Sequence, residues 1–268
     1  MEKSRTHRPG KTQERTVRCI FHNTWKRSDK MNLDIHSLII YEDPSVIVCR
    51  KPAGIPTQSS RIAASDMVSL LKNYLAASSQ CGSAGRKPRG QNRKEPYLAV
   101  IHRLDQPVEG LLVFAKTPAA ARNLSGQLTG AGFGKYYLAM VRGIPSPSEG
   151  DLEDHLVKDG RTNTSRVCTA DTPGAKYARL HYHTVRVHKD QCPPVSLIEI
   201  RLDTGRHHQI RVQMSHHGFP LIGDRKYGGS DSGAGPLKLC AYRLEFLHPT
   251  DGRPMNFELP SPSWEEIS

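Results

Sequence analysis

The sequence predicts an α+β fold in which a largely antiparallel, mixed sheet is flanked by helices. Short apolar or alternating runs typical of strands recur along most of the chain, and only a few segments show helical spacing. These helical segments do not alternate regularly with the strands, as the units of a parallel sheet would. A length of 268 residues with 37% hydrophobic content is enough for one large core.

The first half of the chain contains four predicted strands and two predicted helices. Strands are expected at residues 38–41, 46–48, 97–101 and 111–115. Ser65 can cap a helix whose apolar positions are Met67, Leu70, Leu71, Tyr74 and Leu75. Thr117 followed by Pro118 predicts the start of a second helix, which ends near Gly130.

The second half continues with strands at 136–142, 177–187, 195–202 and 237–246. Gly205 precedes a helix that carries Ile210 and Met214 on one face and is closed by Gly218. Such a mixture indicates a single sheet covered by helices rather than a repeat protein or a coiled coil.

The positive charge of the chain is concentrated in two segments. Its net charge is +12, and residues 1–30 hold nine Lys and Arg against three acids. Residues 78–96 hold five against one. We therefore predict a basic, disordered leader over 1–34, a folded domain over 35–264 and a flexible basic loop at 78–96. Basic segments attract polyanions such as nucleic acid, although they can also be solvated tails.

Composition also bounds where the protein acts. No apolar run approaches the roughly 18–20 residues that a bilayer span needs, so no membrane association is expected. The six cysteines form no CxxC pair, and the N-terminus lacks a secretory apolar region. These features favour a reducing, cytoplasmic location, and a monomer is the default expectation.

Asp105 is the first candidate for chemistry. It lies on the loop between two apolar strands, close after His102 and Arg103. Loops held by rigid strands often carry catalytic groups, and a carboxylate there could be a nucleophile or a general base. The alternative is that Asp105 caps the loop backbone or pairs with Arg103 at the surface.

A second candidate segment is residues 204–211, which contains Arg206 and Arg211 near the start of a predicted helix. Guanidinium groups at this place could bind phosphate or clamp a carboxylate in a bidentate manner, or they could simply be solvated. In the third segment, strand alternation places Lys135 and Tyr137 on one face and Tyr136 on the other. One of these tyrosines could stack on a base, or both could be structural.

Three histidine pairs invite a metal interpretation, which we do not favour. Neighbouring side chains on a helix diverge by about 100°, so His207 and His208 cannot easily face one ion. No HExxH, CxxC or carboxylate-rich loop accompanies this pair or the other two, which are His181 with His183 and His216 with His217. No metal and no cofactor are expected.

Together these segments resemble the RluA-type pseudouridine synthase family over about residues 37–260. Four motifs match in order: the turn Lys51-Pro52-Ala53-Gly54; His102-Arg103-Leu104-Asp105 with Gly110-Leu111-Leu112-Val113; Lys135-x-Tyr137-x-Ala139-x-Val141-x-Gly143; and Thr204-Gly205-Arg206-x-His208-Gln209-Ile210-Arg211 with Gly223-Asp224 and Tyr227-Gly228. The first 30 residues are too short and polar for the small RNA-binding S4 domain, so the chain resembles members without it.

The resemblance implies a pseudouridine synthase catalytic fold with a central active-site cleft. The implied reaction isomerises uridine within ribosomal or transfer RNA, without cofactor or metal. Asp105 would be the catalytic carboxylate, Arg211 its partner, and Tyr137 the ring that stacks on the target base. Arg103 would help to fill the space left by the extruded nucleotide. The expected substrate-binding residues are Arg103, His102, Lys51, Lys135, Arg206 and Ile210.

Three positions depart from the family pattern. Val108-Glu109 stands where Thr/Ser-Ser is usual, Arg50 replaces an Asn, and Gln213 replaces a His. An additional carboxylate beside a phosphate-binding cleft makes substrate choice the property most open to change. The alternative to an enzyme is a non-catalytic RNA-binding or ribosome-assembly protein with the same fold. The presence of Asp105, Tyr137 and Arg211 together favours the enzyme.

Overall fold

The computed structural model describes residues 17–18, 34–59, 65–81, 95–130, 132–229, 235–262 and 264. In this part of the chain, four helices accompany one twelve-stranded sheet. The helices are α1 (Ile35–Leu38), α2 (Met67–Cys81), α3 (Pro118–Thr129) and α4 (Gln209–His216). The strands are β1 (Val17–Arg18), β2 (Ile39–Glu42), β3 (Val46–Lys51), β4 (Ala99–Val100), β5 (Glu109–Ala115), β6 (Phe133–Arg142), β7 (Glu149–Asp159), β8 (Thr164–Cys168), β9 (Lys176–His188), β10 (Val195–Leu202), β11 (Leu239–Leu247) and β12 (Pro254–Glu258).

The sheet has the order β2-β3-β5-β11-β6-β10-β9-β7-β8, with β4 beside β5 and β12 beside β11. Among the strand pairs of the described residues, β5 with β11 and β1 with β12 are parallel and the others are antiparallel. The predicted α+β class with a largely antiparallel, mixed sheet is therefore confirmed.

Each face of the sheet carries its own core. On β6, Tyr137, Ala139 and Val141 belong to one apolar cluster, together with residues of α2 and α4. Leu138 and Met140, the residues between them, belong to the cluster that includes α3. This separation follows from strand geometry, because successive side chains point to opposite faces. It also confirms the predicted orientation of Tyr137.

Several elements match their predictions closely. Strand β10 spans the predicted residues, and α3 lies between the predicted Thr117 cap and Gly130. The Thr117 hydroxyl accepts a hydrogen bond of 3.1 Å from the Ala120 N–H, as an N-cap residue should. Where both boundaries carry a local signal, the sequence alone therefore located the element.

Strands β7, β8 and β12 and the short helix α1 were not predicted. Strand β7 is rich in acidic residues and buries only Leu152 and Leu156, so it lacks a clear apolar pattern. It is stabilised instead by its neighbour β9, where Arg179 lies 3.0 Å from Asp151 and 3.4 Å from Glu153. Cross-strand charge pairs of this kind are invisible before the strand pairing is known.

Helix α2 and the basic loop differ from their predictions at both ends of the helix. Asp66 rather than Ser65 caps α2, since its carboxylate accepts hydrogen bonds from the N–H groups of Ser69 at 2.7 Å and Ser59 at 2.6 Å. The helix continues to Cys81, so its last four residues lie in the segment predicted as a loop. Residues 82–94 of that predicted loop lie outside the described part of the chain.

Most of the predicted leader, residues 1–16 and 19–33, also lies outside the described residues. Between these segments, β1 pairs in parallel with β12 through Val17 and Phe257 and through Arg18 and Glu258. Strand pairing at these two residues differs from the disorder that was predicted for the leader. The pairing could not be predicted because its partner, β12, lies near the other end of the chain.

Gly110 allows β5 to approach β11, and we expect alanine at this position to be strongly destabilising. Its φ is +135°, and a Cβ atom there would lie 2.4 Å from the carbonyl oxygen of Ala241. Gly110→Ala should lower the free energy of unfolding by about 3 kcal/mol or more. The control is Gly126→Ala in α3, where a Cβ atom meets nothing within 4 Å and should stabilise by about 1 kcal/mol. Equal urea midpoints for the two variants would contradict this expectation.

Candidate active site

The loop that carries Asp105 is braced by the segment after β3. The Thr57 hydroxyl is bonded to both backbone groups of Leu104, at 3.0 and 3.1 Å. Gly54 and Gln106 exchange two further hydrogen bonds of 2.8 and 2.9 Å. These contacts fix the backbone on both sides of Asp105, which is the support that a catalytic side chain needs.

Lys51 belongs to this brace, which corrects its predicted role in substrate binding. Its side chain is fully buried, and Nζ donates to the carbonyl oxygens of Pro52, Ile55 and Gln106 at 3.0, 2.7 and 3.1 Å. Burial lowers the pKa of Lys51 to about 8. With all three donor positions used by carbonyl groups, Lys51 supports the loop and has no donor left for a ligand.

Asp105 is held on one side by Arg211. Nη1 of Arg211 lies 3.2 Å from Oδ2 of Asp105, so the pairing that the resemblance implied is present. The guanidinium makes its bidentate contact with a different carboxylate: Nε and Nη2 bond Asp224 at 2.8 and 2.7 Å. Within the described residues, no hydrogen bond or ion pair involves Oδ1 of Asp105. The alternative pairing with Arg103 is not found, since that guanidinium bonds Gln58 at 3.2 Å.

The Arg211–Asp224 pair is buried, with side-chain exposures of 5% and 0%. Burial disfavours the charged guanidinium, but hydrogen bonds and charges from Asp224 and Asp105 raise the pKa of Arg211 above its usual value. Burial would also raise the pKa of Asp224, but its hydrogen bonds with Arg211 hold that pKa below the usual range. A buried bidentate pair of this kind fixes the guanidinium of Arg211, whose Nη1 contacts Asp105.

Two side chains that sequence reasoning did not select, His208 and Tyr227, complete this cluster. Nε2 of His208 lies 3.5 Å from Oδ2 of Asp105, and Nδ1 lies 2.6 Å from the Tyr227 hydroxyl. Arg211 lies over the Tyr227 ring, 5.1 Å from its centroid. His208, Asp224 and Tyr227 all stand inside the motif that carried the resemblance, and that was the signal that could have identified them.

Asp105 and Arg211 line a cavity of about 890 Å³, together with Tyr137, Lys135 and Ile210. Its volume falls within the range of small-ligand sites. Burial raises the pKa of Tyr137 well above its usual value, so its phenol is neutral near pH 7. Tyr136 points to the other face, where Arg243 lies 3.7 Å from its ring centroid. The sheet therefore directs Tyr137, and not Tyr136, toward Asp105.

Lys135 and His102 also line this cavity. Burial lowers the pKa of Lys135 to about 8 and that of His102 to about 3. Within the described residues, Lys135 Nζ donates no hydrogen bond and forms no ion pair. His102 Nε2 accepts a hydrogen bond of 3.4 Å from the Val113 N–H, and its buried Nδ1 has no partner in this part of the chain. Lys135 thus offers a donor to a bound molecule, whereas one ring nitrogen of His102 is bonded to the backbone and the other is buried.

A second cavity, of about 670 Å³, adjoins the first at Asp105 and Arg211. Its lining residues include the basic side chains Arg103, Arg225 and Lys226. Arg206 lies at the first cavity and donates from Nε to the carbonyl oxygen of Tyr177 at 2.7 Å. The site therefore combines a carboxylate, an aromatic ring and several cations, as a site for a nucleotide within RNA would.

Comparison with known proteins identifies the family. A family model described as RNA pseudouridylate synthase matches residues 45–216, more than half of the chain. The chain belongs to this family. It is 33% identical over 238 residues to the Bacillus subtilis protein named uncharacterized RNA pseudouridine synthase YlyB, covering 88% of this chain and 71% of the other.

Two further relatives have names that state a substrate. The dual-specificity RNA pseudouridine synthase RluA of Salmonella typhimurium is 32% identical, with 84% of this chain and 93% of RluA covered. Ribosomal large subunit pseudouridine synthase D of Neisseria meningitidis is 33% identical, with 92% of this chain but 63% of that protein covered. Human RNA pseudouridylate synthase domain containing 4 shares the fold with a TM-score of 0.65 and 21% identity, over 85% of this chain and 90% of that chain.

The departures from the pseudouridine synthase pattern at Arg50 and Glu109 form one ion pair. Nη2 of Arg50 lies 3.1 Å from Oε2 of Glu109, and the Trp264 indole N–H donates to Oε1 at 3.1 Å. Glu109 lines neither cavity. Both carboxylate oxygens of Glu109 are therefore engaged away from the two cavities.

Gln213, which replaces the usual His of the family, is fully buried and donates to the Leu152 carbonyl oxygen at 3.1 Å and to Asp154 at 2.7 Å. It joins α4 to β7 and lines neither cavity. In the described residues no group of three or more His, Cys, Asp or Glu side chains is placed to hold a metal ion. The described helices include none with the length and apolar character to cross a membrane.

Proposed function

We propose that this chain isomerises uridine within ribosomal or transfer RNA to pseudouridine, with Asp105 as the catalytic carboxylate. The observation that carries the proposal is that the two oxygens of this carboxylate differ in their partners. Oδ2 is held by Arg211, Oδ1 is uncommitted within the described residues, and Asp105 lines a nucleotide-sized cavity. A carboxylate oriented on one oxygen and free on the other is suited to react with a ribose.

The atoms balance without a further reactant. The C1′–N1 bond breaks, the detached uracil turns within the cavity, and C1′ bonds to C5. N1 gains one proton and C5 loses one, so substrate and product have the same composition. Asp105 either attacks C1′ or removes the 2′ proton, and both steps would use Oδ1. The target must be extruded from its stack, since C1′ and the uracil are otherwise covered.

The other cavity residues receive roles in the same proposal. Tyr137 stacks on the target uracil and can take part in removing the C5 proton. Arg103 enters the RNA stack and helps to fill the space of the extruded nucleotide. Lys135, His102, Arg206 and Ile210 line the cavity and contact the target nucleotide.

Names of relatives support both ribosomal and dual-specificity substrates, so the test must not assume one RNA. We would incubate the protein with ribosomal and transfer RNA that carries tritium at uracil C5. The RNA would come from cells that lack this protein, so that its target uridines are unmodified. Formation of the C1′–C5 bond expels this hydrogen, so release of tritium into water reports the reaction. Release from either RNA is the expected result. Tight binding without release from either would favour the alternative, a non-catalytic RNA-binding or ribosome-assembly protein.

Lys135 predicts a pH dependence of the reaction. Because burial lowers its pKa to about 8, its amine is charged below that pH and neutral above it. Only the charged form attracts the anionic RNA, so kcat/KM should fall as the pH rises through about 8. Lys135→Met should lower kcat/KM about tenfold at pH 7 and abolish this fall. If the fall persists in Lys135→Met, another group, such as Lys51 with its similarly lowered pKa, is responsible.

We further propose that the basic segments at 1–34 and 78–96 add non-specific RNA affinity in a monomeric, cytoplasmic enzyme. Deleting residues 1–30 should weaken RNA binding and reduce its salt dependence, because fewer phosphates are neutralised. The measurement is the dissociation constant at salt concentrations from about 50 to about 200 mM, over which phosphate contacts make RNA affinity fall steeply. An unchanged slope would assign RNA affinity to the catalytic domain alone.

A further inference from the structure

His208 stands between the proposed catalytic carboxylate and a second hydroxyl group, and neither the sequence pattern nor the proposed function explains why. Nε2 lies 3.5 Å from Oδ2 of Asp105, and Nδ1 lies 2.6 Å from the hydroxyl oxygen of Tyr227. The imidazole is buried and stacks on His207 with 3.7 Å between ring centroids. Nε2 therefore faces Asp105, while Nδ1, on the other side of the ring, is bonded to Tyr227.

The surroundings select one tautomer of this imidazole. Burial, followed by the positive charge of Arg211, lowers the pKa of His208 to about 3, so the ring is neutral near pH 7. The Tyr227 oxygen already accepts a hydrogen bond of 2.8 Å from the Ser165 N–H. The Tyr227 proton is then available to Nδ1 of His208, which leaves the single ring proton on Nε2, the side of Asp105.

The backbone at His208 is also unusual. Its φ is 55° and its ψ is 25°, a left-handed conformation that is uncommon for residues other than glycine. As N-cap of α4, it makes no side-chain capping hydrogen bond, so its side chain does not serve the helix. Strained backbone that brings a side chain to a reactive group is a feature of functional sites.

We propose that His208 and Tyr227 form a positioning pair for Asp105 within the proposed function. Tyr227 fixes the tautomer of His208, and His208 Nε2–H joins Arg211 in holding Oδ2. Two donors on one oxygen prevent rotation of the carboxylate and keep Oδ1 directed at the target ribose. The 3.5 Å separation exceeds a normal hydrogen bond, and catalytic contacts of this kind shorten when substrate binds. The charged or titratable groups around His208 are Asp105, Arg211, His207, Lys226, Asp224 and Tyr227.

His208→Asn tests the proposal because asparagine tolerates a left-handed φ and retains a polar atom near the position of Nδ1. It removes the donor at the Nε2 position. We expect kcat in the tritium-release assay to fall about 10- to 100-fold while KM changes less than about threefold, since only orientation is lost. His208→Gln, whose amide nitrogen reaches the Nε2 position, should restore most of the rate. Tyr227→Phe should give a smaller loss, because the tautomer is no longer fixed.

The matched control is Tyr74→Phe, which removes a hydroxyl bonded to Glu42 on a side chain that lines neither cavity. It should leave kcat unchanged. Thermal unfolding of every variant separates a lost orientation from a lost fold. An unchanged kcat in His208→Asn, or a loss that tracks stability and is not recovered by Gln, would overturn the proposal.

A second measurement does not depend on activity. Nitrogen-15 spectra of the histidine rings should show His208 neutral and protonated on Nε2 from pH 5 to 8, with the tautomer mixture shifting in Tyr227→Phe. Protonation on Nδ1, or titration within that pH range, would overturn the proposal whatever the assay shows. If the wild type releases no tritium while the spectra are as expected, the proposed function fails and the arrangement at His208 stands.

Discussion

Asp105→Asn is expected to abolish tritium release, with a fall in kcat of about four orders of magnitude or more. Asparagine has the same shape and can still accept a hydrogen bond from Arg211, so the loop and the cavity should be preserved. What it lacks is the negative charge and nucleophilicity of Oδ1, and both candidate mechanisms need them. RNA affinity should therefore remain within about threefold of the wild type, measured by filter binding on the same RNA.

The control for this substitution is Asp171→Asn, at an exposed carboxylate that lines neither cavity. It should release tritium at the wild-type rate. Equal release by Asp105→Asn and the wild type would show that another group performs the chemistry. A strong loss of RNA affinity in Asp105→Asn would show instead that the carboxylate organises the binding surface.

Arg211→Met is expected to affect stability and activity together. Within the described residues, removal of the guanidinium leaves the buried Asp224 carboxylate with hydrogen bonds only from the N–H groups of Lys226 and Tyr227, at 2.9 and 3.2 Å. Breaking a buried pair from one side typically costs about 3–5 kcal/mol, because the remaining charge has lost its partner. Urea unfolding should show a loss of this size. Catalysis should fall as well, since Oδ2 of Asp105 loses its ionic contact.

A double variant separates these two effects. In Arg211→Met combined with Asp224→Asn, the neutral amide can accept the same backbone hydrogen bonds without the cost of a buried charge. Part of the lost stability should return, whereas tritium release should not. If Arg211→Met unfolds at the wild-type urea concentration, the buried pair has no structural role. If the double variant recovers activity, Arg211 is not needed at Asp105.

The same pair predicts a loss of stability in acid. Burial alone would raise the pKa of Asp224, but Arg211 holds it below the usual range. Since the unfolded value is about 3.9, the stabilisation from Asp224 is complete above that pH and is lost as the pH falls through the lower, folded pKa. This part of the acid dependence should be weaker in Arg211→Met. An identical profile in both proteins would exclude Asp224 as its source.

Local signals in the sequence were sufficient for elements with clear boundaries and a buried face. Helix α3 was predicted because Thr117, Pro118 and Gly130 mark its ends, and β10 because apolar residues recur along its whole length. Strand β7 was missed because acidic residues occupy much of its length, and its stability comes from pairing with β8 and β9. The same limit applied to β1, which pairs with a strand near the far end of the chain.

The functional site, like the fold, was predicted from the sequence only in part. Asp105, Tyr137 and Arg211 were selected from residue type, loop position and the resemblance, and the structure brings all three to one cavity. Lys51 was assigned to the substrate because it lies in the Lys51-Pro52-Ala53-Gly54 turn that carries part of the resemblance. Only the folded loop shows three carbonyl oxygens around its amine. The ion pair between Arg50 and Glu109 was likewise invisible while each residue was read separately.

The sequence by itself determined the fold class, the family resemblance and the candidate catalytic carboxylate, because these depend on residue type and on spacing within short segments. The tertiary structure alone decided which groups hold that carboxylate. Arg211 contacts both Asp105 and Asp224. His208 is bonded to Tyr227 and lies near the same oxygen of Asp105, Oδ2, that Arg211 contacts. Such contacts join loops that are distant along the chain, and they arise only once the sheet has brought those loops together and burial has removed water as a competing partner.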